Sequence, residues 1–146
     1  MQAAKRVLRY IKGTLDYGIL FPGGRKKTAM EITGYTNSDY GGDQIERKST
    51  SGYIFMLNGA PISWCSNKQP VVTVSRCETE YIDKSFSTCQ GVWIKELMKE
   101  LKVPMEKPIQ LKIDNVSAMN LAKNSVSHGR SKHKKVKFHF LRDMVN

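Results

Sequence analysis

The sequence predicts an α+β chain built on one mixed sheet with helices packed against it. Three observations predict this class. Three strand-like runs lie in succession between turn signals, a long helical stretch follows them, and one further alternating run lies beyond that helix. A strand reached through a helical crossover is expected to run parallel to its neighbour. At 146 residues, one domain is expected, long enough to bury a core without disulfide or metal staples.

The elements follow in order. Apolar residues at Ala3, Ala4, Val7, Leu8 and Ile11 have helical spacing, and Gly13 ends that helix. Asp16 to Gly24 reads as a short strand closed by the turn Pro22-Gly23-Gly24. Ala29 to Thr36 is the first long strand, leading into the polar run Asn37-Ser38-Asp39-Tyr40-Gly41-Gly42-Asp43. Ser51 to Leu57 and Pro61 to Ser66 flank Asn58-Gly59, a hairpin signal, so these three strands form an antiparallel meander.

Ser75 with Glu78 three residues on is a capping box. Ile82, Phe86, Cys89, Trp93 and Leu97 then make one apolar stripe, the expected buried face of the long helix, with Gly91 a point where it breaks. Trp64 and Trp93 are read as core residues. Ile109, Leu111 and Ile113 alternate as a strand that ends at Asp114-Asn115. Helices are expected near 116–123 and 135–145.

Composition narrows function. The three cysteines, Cys65, Cys77 and Cys89, form no CxxC pair, which argues against a zinc site and a disulfide framework. No apolar run approaches the ~20 residues of a membrane span, and Met1 is followed by a basic helical segment rather than a signal peptide. An intracellular protein with no membrane partner is expected. The net charge of +11 points to an acidic partner, nucleic acid above all. From Lys123 to Arg142 there are seven Lys or Arg, three His and no carboxylate.

Acidic residues fall at element ends: Asp39 and Asp43 after the first long strand, Glu80 in the first turns of the long helix, Asp114 at the end of the last strand. If the first and last strands are neighbours, these positions converge at one sheet edge. Clustered carboxylates are hard oxygen ligands suited to Mg2+ or Mn2+, and two such ions ~4 Å apart serve phosphodiester hydrolysis. Capping explains acidic residues at these same positions equally well.

Several segments carry a resemblance. Gly34 to Asp43 is similar to GYTDSDWAGD, Arg47 to Tyr53 reads RKSTSGY, Ile62 to Gln69 is similar to ISWSSKKQ, and Ser75 to Ile82 is similar to SSTEAEYI. Ile113 to Asn124 is similar to CDNQSAIALAKN, and Ser127 to His133 to an S-R-T-K-H segment. In this order and over nearly the whole chain, they resemble the RNase H domain of copia-type LTR retrotransposon Pol polyproteins. Ala3 to Thr14 resembles the connection between reverse transcriptase and RNase H. The resemblance therefore divides the chain into residues 1–28, a remnant of that connection, and residues 29–146, a truncated RNase H-like domain whose C-terminal strand is missing.

The resemblance implies two-metal hydrolysis of RNA–DNA hybrids by a D-E-D-D set. The first Asp falls on Asn37, an amide that brings no charge; Asp39, two residues on, shares its side of the strand. The Glu falls on Glu80 and the second Asp on Asp114, while the last belongs to a segment beyond Asn146. The expectation is thus a nucleic-acid-binding domain of RNase H type, a pseudoenzyme with hydrolysis weak or lost. Glu80 and Asp114 would be weak Mg2+ ligands, and Mg2+ or Mn2+ the cofactor if activity remains. Arg130, Lys132, Lys134, Lys135 and Lys137 would bind hybrid or duplex. A rival reading rests on Arg6-Val7-Leu8-Arg9, which fits the RxLR host-entry motif of oomycete effectors. It implies a protein secreted into a host cell, acting on host proteins.

Overall fold

The structure is a computed structural model that describes residues 1–21, 30–105 and 107–113. Helix α1 spans Gln2–Gly13, strand β1 Ile32–Asp39, β2 Thr50–Leu57, β3 Ala60–Lys68, helix α2 Arg76–Glu100 and β4 Gln110–Ile113. The sheet order is β3-β2-β1-β4, with β1–β2 and β2–β3 antiparallel and β1–β4 parallel. This is the mixed α+β sheet of an RNase H-like domain. The meander and the parallel fourth strand stand as the sequence predicts. The expected helices near 116–123 and 135–145 lie outside the described residues.

Local chemistry sets each boundary. Asn58 and Gly59 adopt φ of 51° and 90°, the left-handed pair that a two-residue hairpin needs. The Asn58 side-chain oxygen also accepts from the Glu31 backbone N–H at 3.1 Å, tying the turn to the approach of β1. Ser75 caps α2, its hydroxyl accepting from the Glu78 N–H at 3.2 Å. Glu78 reaches back to the Val74 N–H at 3.0 Å, one residue before the usual capping-box partner.

The apolar core lies at the lower half of α2, where Ile32, Phe55, Ile94 and Met98 pack together. Tyr53, Leu57, Ile62, Val103, Met105, Ile109 and Leu111 border it. Gly34 on β1 has Phe55 and Leu111 as cross-strand partners, and both large side chains lean over its Cα.

Four sequence expectations need correction. Asp16 to Phe21 forms no strand; its backbone joins no described ladder and its side chains are exposed. The apolar stripe of α2 is not its buried face. Thr79, Asp83, Ser87, Ile94 and Met98 turn inward, while Phe86, Cys89, Trp93 and Leu97 are exposed and Ile82 is half-buried. The reason is that the sheet and the loop before β2 present the hydroxyls of Thr36, Ser51 and Ser49 beneath the first half of α2, which select polar partners. Gly91 does not break α2, which runs unbroken for 25 residues. Trp64 and Trp93 are surface residues, 61% and 57% exposed, because each sits on the face of its element turned away from the core.

Candidate functional site

The site region is built around the C-terminal end of β1. The Thr36 hydroxyl donates to Asp83 Oδ2 at 2.5 Å and lies 2.7 Å from the Ser87 hydroxyl, so Thr36 faces α2. Asn37 and Asp39 are exposed, and strand alternation turns Asn37 and Asp39 to the opposite face, on the same side as Tyr35. In the ladders Asn37 pairs with Gly52, and Asp39 with Thr50. Among the described residues the last pair of the parallel β1–β4 ladder is Thr36 with Ile113, the residues directly before Asn37 and Asp114 in sequence. Asp39 leans on Gly42, where an added Cβ would lie 1.9 Å from its Oδ2.

Asp43 is a loop-organising residue. Its carboxylate accepts from the N–H groups of Ile45 at 3.0 Å and Glu46 at 3.4 Å and is paired with Lys68. The Lys68 hydrogen bond, helped by the backbone donors, holds its pKa down to about 2. Lys48 pairs with Glu46 at 2.9 Å and holds that carboxyl below its ordinary range. Arg47 turns the chain with φ of 55°.

Behind this loop lies a buried hydroxyl cluster. Ser49 accepts from the Gly41 N–H at 3.0 Å and touches the Thr73 and Thr79 hydroxyls at 3.3 and 3.1 Å. Gln69 donates to Ser51 at 2.8 Å and to the Thr79 carbonyl at 3.1 Å, and its own N–H reaches the Ser49 carbonyl at 2.8 Å. The segment Arg47 to Tyr53 therefore locks the loop, β2 and the start of α2 into one arrangement. Sequence reasoning missed this network; its signal was the density of small hydroxyl residues at Ser49, Ser51, Thr73 and Thr79.

Glu80, Asp83 and Lys84 form a charged group on α2. The Lys84 ammonium lies 3.7 Å from Glu80 Oε2, with its side chain 7% exposed. Asp83 is 2% exposed, and burial pushes its pKa up to about 6 against the hydrogen bonds from Thr36, Ser51 and the Gly52 backbone. Burial lowers the pKa of Lys84, and Glu80 opposes that shift. Asp83 and Lys84 were not singled out from the sequence, since a charged pair in a helix ordinarily marks its solvent face.

Among the described residues no three His, Cys, Asp or Glu side chains come together to hold a metal ion. Asn37 and Asp39 lie on one face of the sheet and Glu80 beside a buried cation on the helix. Among the described residues, the structure does not bring Asn37 and Asp39 together with Glu80. Asp114, Arg130, Lys132, Lys134, Lys135 and Lys137 lie outside the described residues. No helix among the described residues is long and apolar enough to cross a membrane.

Comparison with known proteins gives the chain its relatives. It is 38% identical over 145 residues to the retrovirus-related Pol polyprotein from transposon RE1 of Arabidopsis thaliana, which covers 99% of this chain and 10% of that protein. It is 37% identical over 145 residues to the corresponding polyprotein from transposon TNT 1-94 of Nicotiana tabacum, again 99% of this chain and 10% of the relative. It is also 47% identical over 93 residues to secreted RxLR effector protein 161 of Plasmopara viticola, covering 64% of this chain and 63% of that protein. The chain thus spans about a tenth of the length of the Pol relatives it matches. No protein-family model matches it, and no solved structure gives a significant match. Likeness over nearly the whole chain identifies it as a domain derived from the Pol polyprotein of copia-type retrotransposons.

Proposed function

We propose that this chain is a nucleic-acid-binding domain of RNase H descent in which hydrolysis of RNA–DNA hybrids is weak or lost. The observation that carries the proposal is Asn37. It stands on the central strand where the resemblance puts the first metal-binding aspartate, directly after the residue that pairs with β4. An amide there removes one negative charge from a site that must hold two dications against their mutual repulsion. The other described candidates do not compensate: Asp39 leans on Gly42, and Glu80 is paired with Lys84. The assay is purified protein with labelled hybrid and Mg2+ or Mn2+, beside Glu80→Gln and Asp114→Asn. The expected result is little or no cleavage. Robust metal-dependent cleavage that disappears in both variants overturns the proposal.

Binding is assigned to Arg130, Lys132, Lys134, Lys135 and Lys137, within a chain of net charge +11. Phosphate neutralisation releases counterions, so affinity for hybrid or duplex falls by roughly one power of salt concentration per contact. Filter binding at two salt concentrations tests this. A flat salt response, or no loss when the five are replaced by Ala, rules it out.

The effector match supports a second reading, a secreted RxLR-type protein acting on host proteins. Arg6-Val7-Leu8-Arg9 lies on α1, whose residues are all exposed and open to a partner. Secretion of a reporter fused to this N-terminus supports that reading, and retention inside the cell removes it.

A further inference from the structure

We propose that Lys84 is a built-in counter-ion for Glu80, holding with its ammonium the position beside that carboxylate which a divalent cation would otherwise take. The inference rests on the reading that Glu80 stands at the metal-binding position of an RNase H-type domain, and it concerns how this chain fills that position.

The geometry is specific. Lys84 follows Glu80 by four residues on α2, and its Nζ lies 3.7 Å from Glu80 Oε2. Glu N-terminal to Lys at this spacing is the favourable order on a helix. On a solvated helix such a pair contributes little. Here the Lys84 side chain is only 7% exposed and that of Glu80 19%. A buried ammonium is retained only where negative charge surrounds it. Glu80 supplies that charge, and Asp83, 2% exposed and adjacent in sequence, adds to it. The Asp83 carboxylate is held in place by the Thr36 hydroxyl of β1. The cation is therefore paired with Glu80 on the helix, and the neighbouring Asp83 that adds to its negative surroundings is held to the sheet by Thr36.

A dication approaching Glu80 meets this ammonium within a few ångströms, in surroundings with little water to screen the repulsion. Displacing Lys84 leaves its charge buried without a partner. Both effects act against metal binding and make Glu80 a structural residue. The pair gives the carboxylate at position 80 a structural role: the buried lysine requires it.

The test is Mn2+ titration of the full chain, following free Mn2+ by electron paramagnetic resonance, in four proteins. Wild type and Glu80→Gln are expected to bind Mn2+ alike, because Glu80 contributes nothing to binding while Lys84 is present. Lys84→Met is expected to gain a saturable site at least ~10-fold tighter, since removal of the ammonium leaves the Glu80 carboxylate without its repelling and competing cation. The double variant Glu80→Gln/Lys84→Met is expected to lose that site. Wild-type Mn2+ binding that depends on Glu80 and matches Lys84→Met overturns the inference. A second measurement stands even if Lys84→Met fails to fold. The wild-type melting temperature should be the same in EDTA and in Mn2+, and Glu80→Gln should lower it by stranding Lys84. A wild type stabilised by Mn2+ through Glu80, or an unchanged melting temperature in Glu80→Gln, overturns it equally. Failure here without hybrid cleavage leaves the loss of hydrolysis intact; cleavage that requires Glu80 removes both readings.

Discussion

The carboxyl group of Asp83 shows what a single buried acid does to this domain. Its environment favours the neutral form, with burial raising the pKa from 3.8 to about 6. The folded chain therefore binds a proton there that the unfolded chain has released. The favourable effect of that proton is fully present below about pH 4 and is lost as pH rises through about 6. The span between those values corresponds to ~3 kcal/mol at neutral pH. Asp83→Asn keeps the shape and removes the titration. The variant should gain on wild type between pH 4 and 7 by up to ~3 kcal/mol, measured by urea unfolding at each pH. A stability difference that does not change with pH would show that Asp83 is solvated in the folded protein. Its neighbours Thr36 and Ser87 are also buried, so the alternative of a simple surface acid has no structural support.

Among the elements, β1 is an interior strand of the sheet with a close approach at Gly34. An added methyl group on Gly34 would lie 2.6 Å from Phe55 Cε1 and 2.9 Å from Leu111 Cδ1, inside both van der Waals contacts. The Phe55 ring is fully buried and hemmed by Tyr53, so it has no free direction in which to move. Gly34→Ala should therefore cost ~1–3 kcal/mol, read as a lower urea midpoint, whereas Gly13→Ala, with nothing within 4 Å, should cost little. Equal midpoints for the two variants would mean that β1 and β4 do not close over Gly34. The strands were legible in the sequence because alternation and the Asn58-Gly59 turn are local signals. The parallel placement of β4 was legible because a helical crossover dictates it. The inward face of α2 was not legible. Its apolar stripe at Phe86, Trp93 and Leu97 has the right period, but what a helix buries is decided by what the sheet presents. Here the hydroxyls of Thr36 and of Ser49 and Ser51 come from two separated segments of the chain. For the same reason Glu80 was singled out, while the lysine and aspartate that determine its surroundings were not.

At the scale of the whole molecule, the described residues bury six hydrophobic and ten polar or charged side chains, so order in the interior depends on hydrogen bonding as much as on apolar area. The apolar surface left over is outside. Trp64 lies on β3, paired with Ile54, which is paired in turn with Tyr35 of β1; Lys112 of β4 lies over the Tyr35 ring at 5.4 Å. This row crosses the sheet face turned away from α2, and Trp93 stands on the outward side of α2 itself. Neither indole touches the core cluster around Phe55. Both should therefore emit as water-exposed indoles, and acrylamide should quench each nearly as well as it quenches a free tryptophan amide. Trp64→Phe and Trp93→Phe separate the two signals and, because neither side chain fills the core, each should leave the unfolding midpoint within about 0.5 kcal/mol of wild type. Blue-shifted emission that resists acrylamide in dilute solution would show that a further layer covers these faces. If the shielding instead grows with protein concentration, the covering layer is another copy of the chain, which is how an exposed aromatic face of this kind reduces its contact with water.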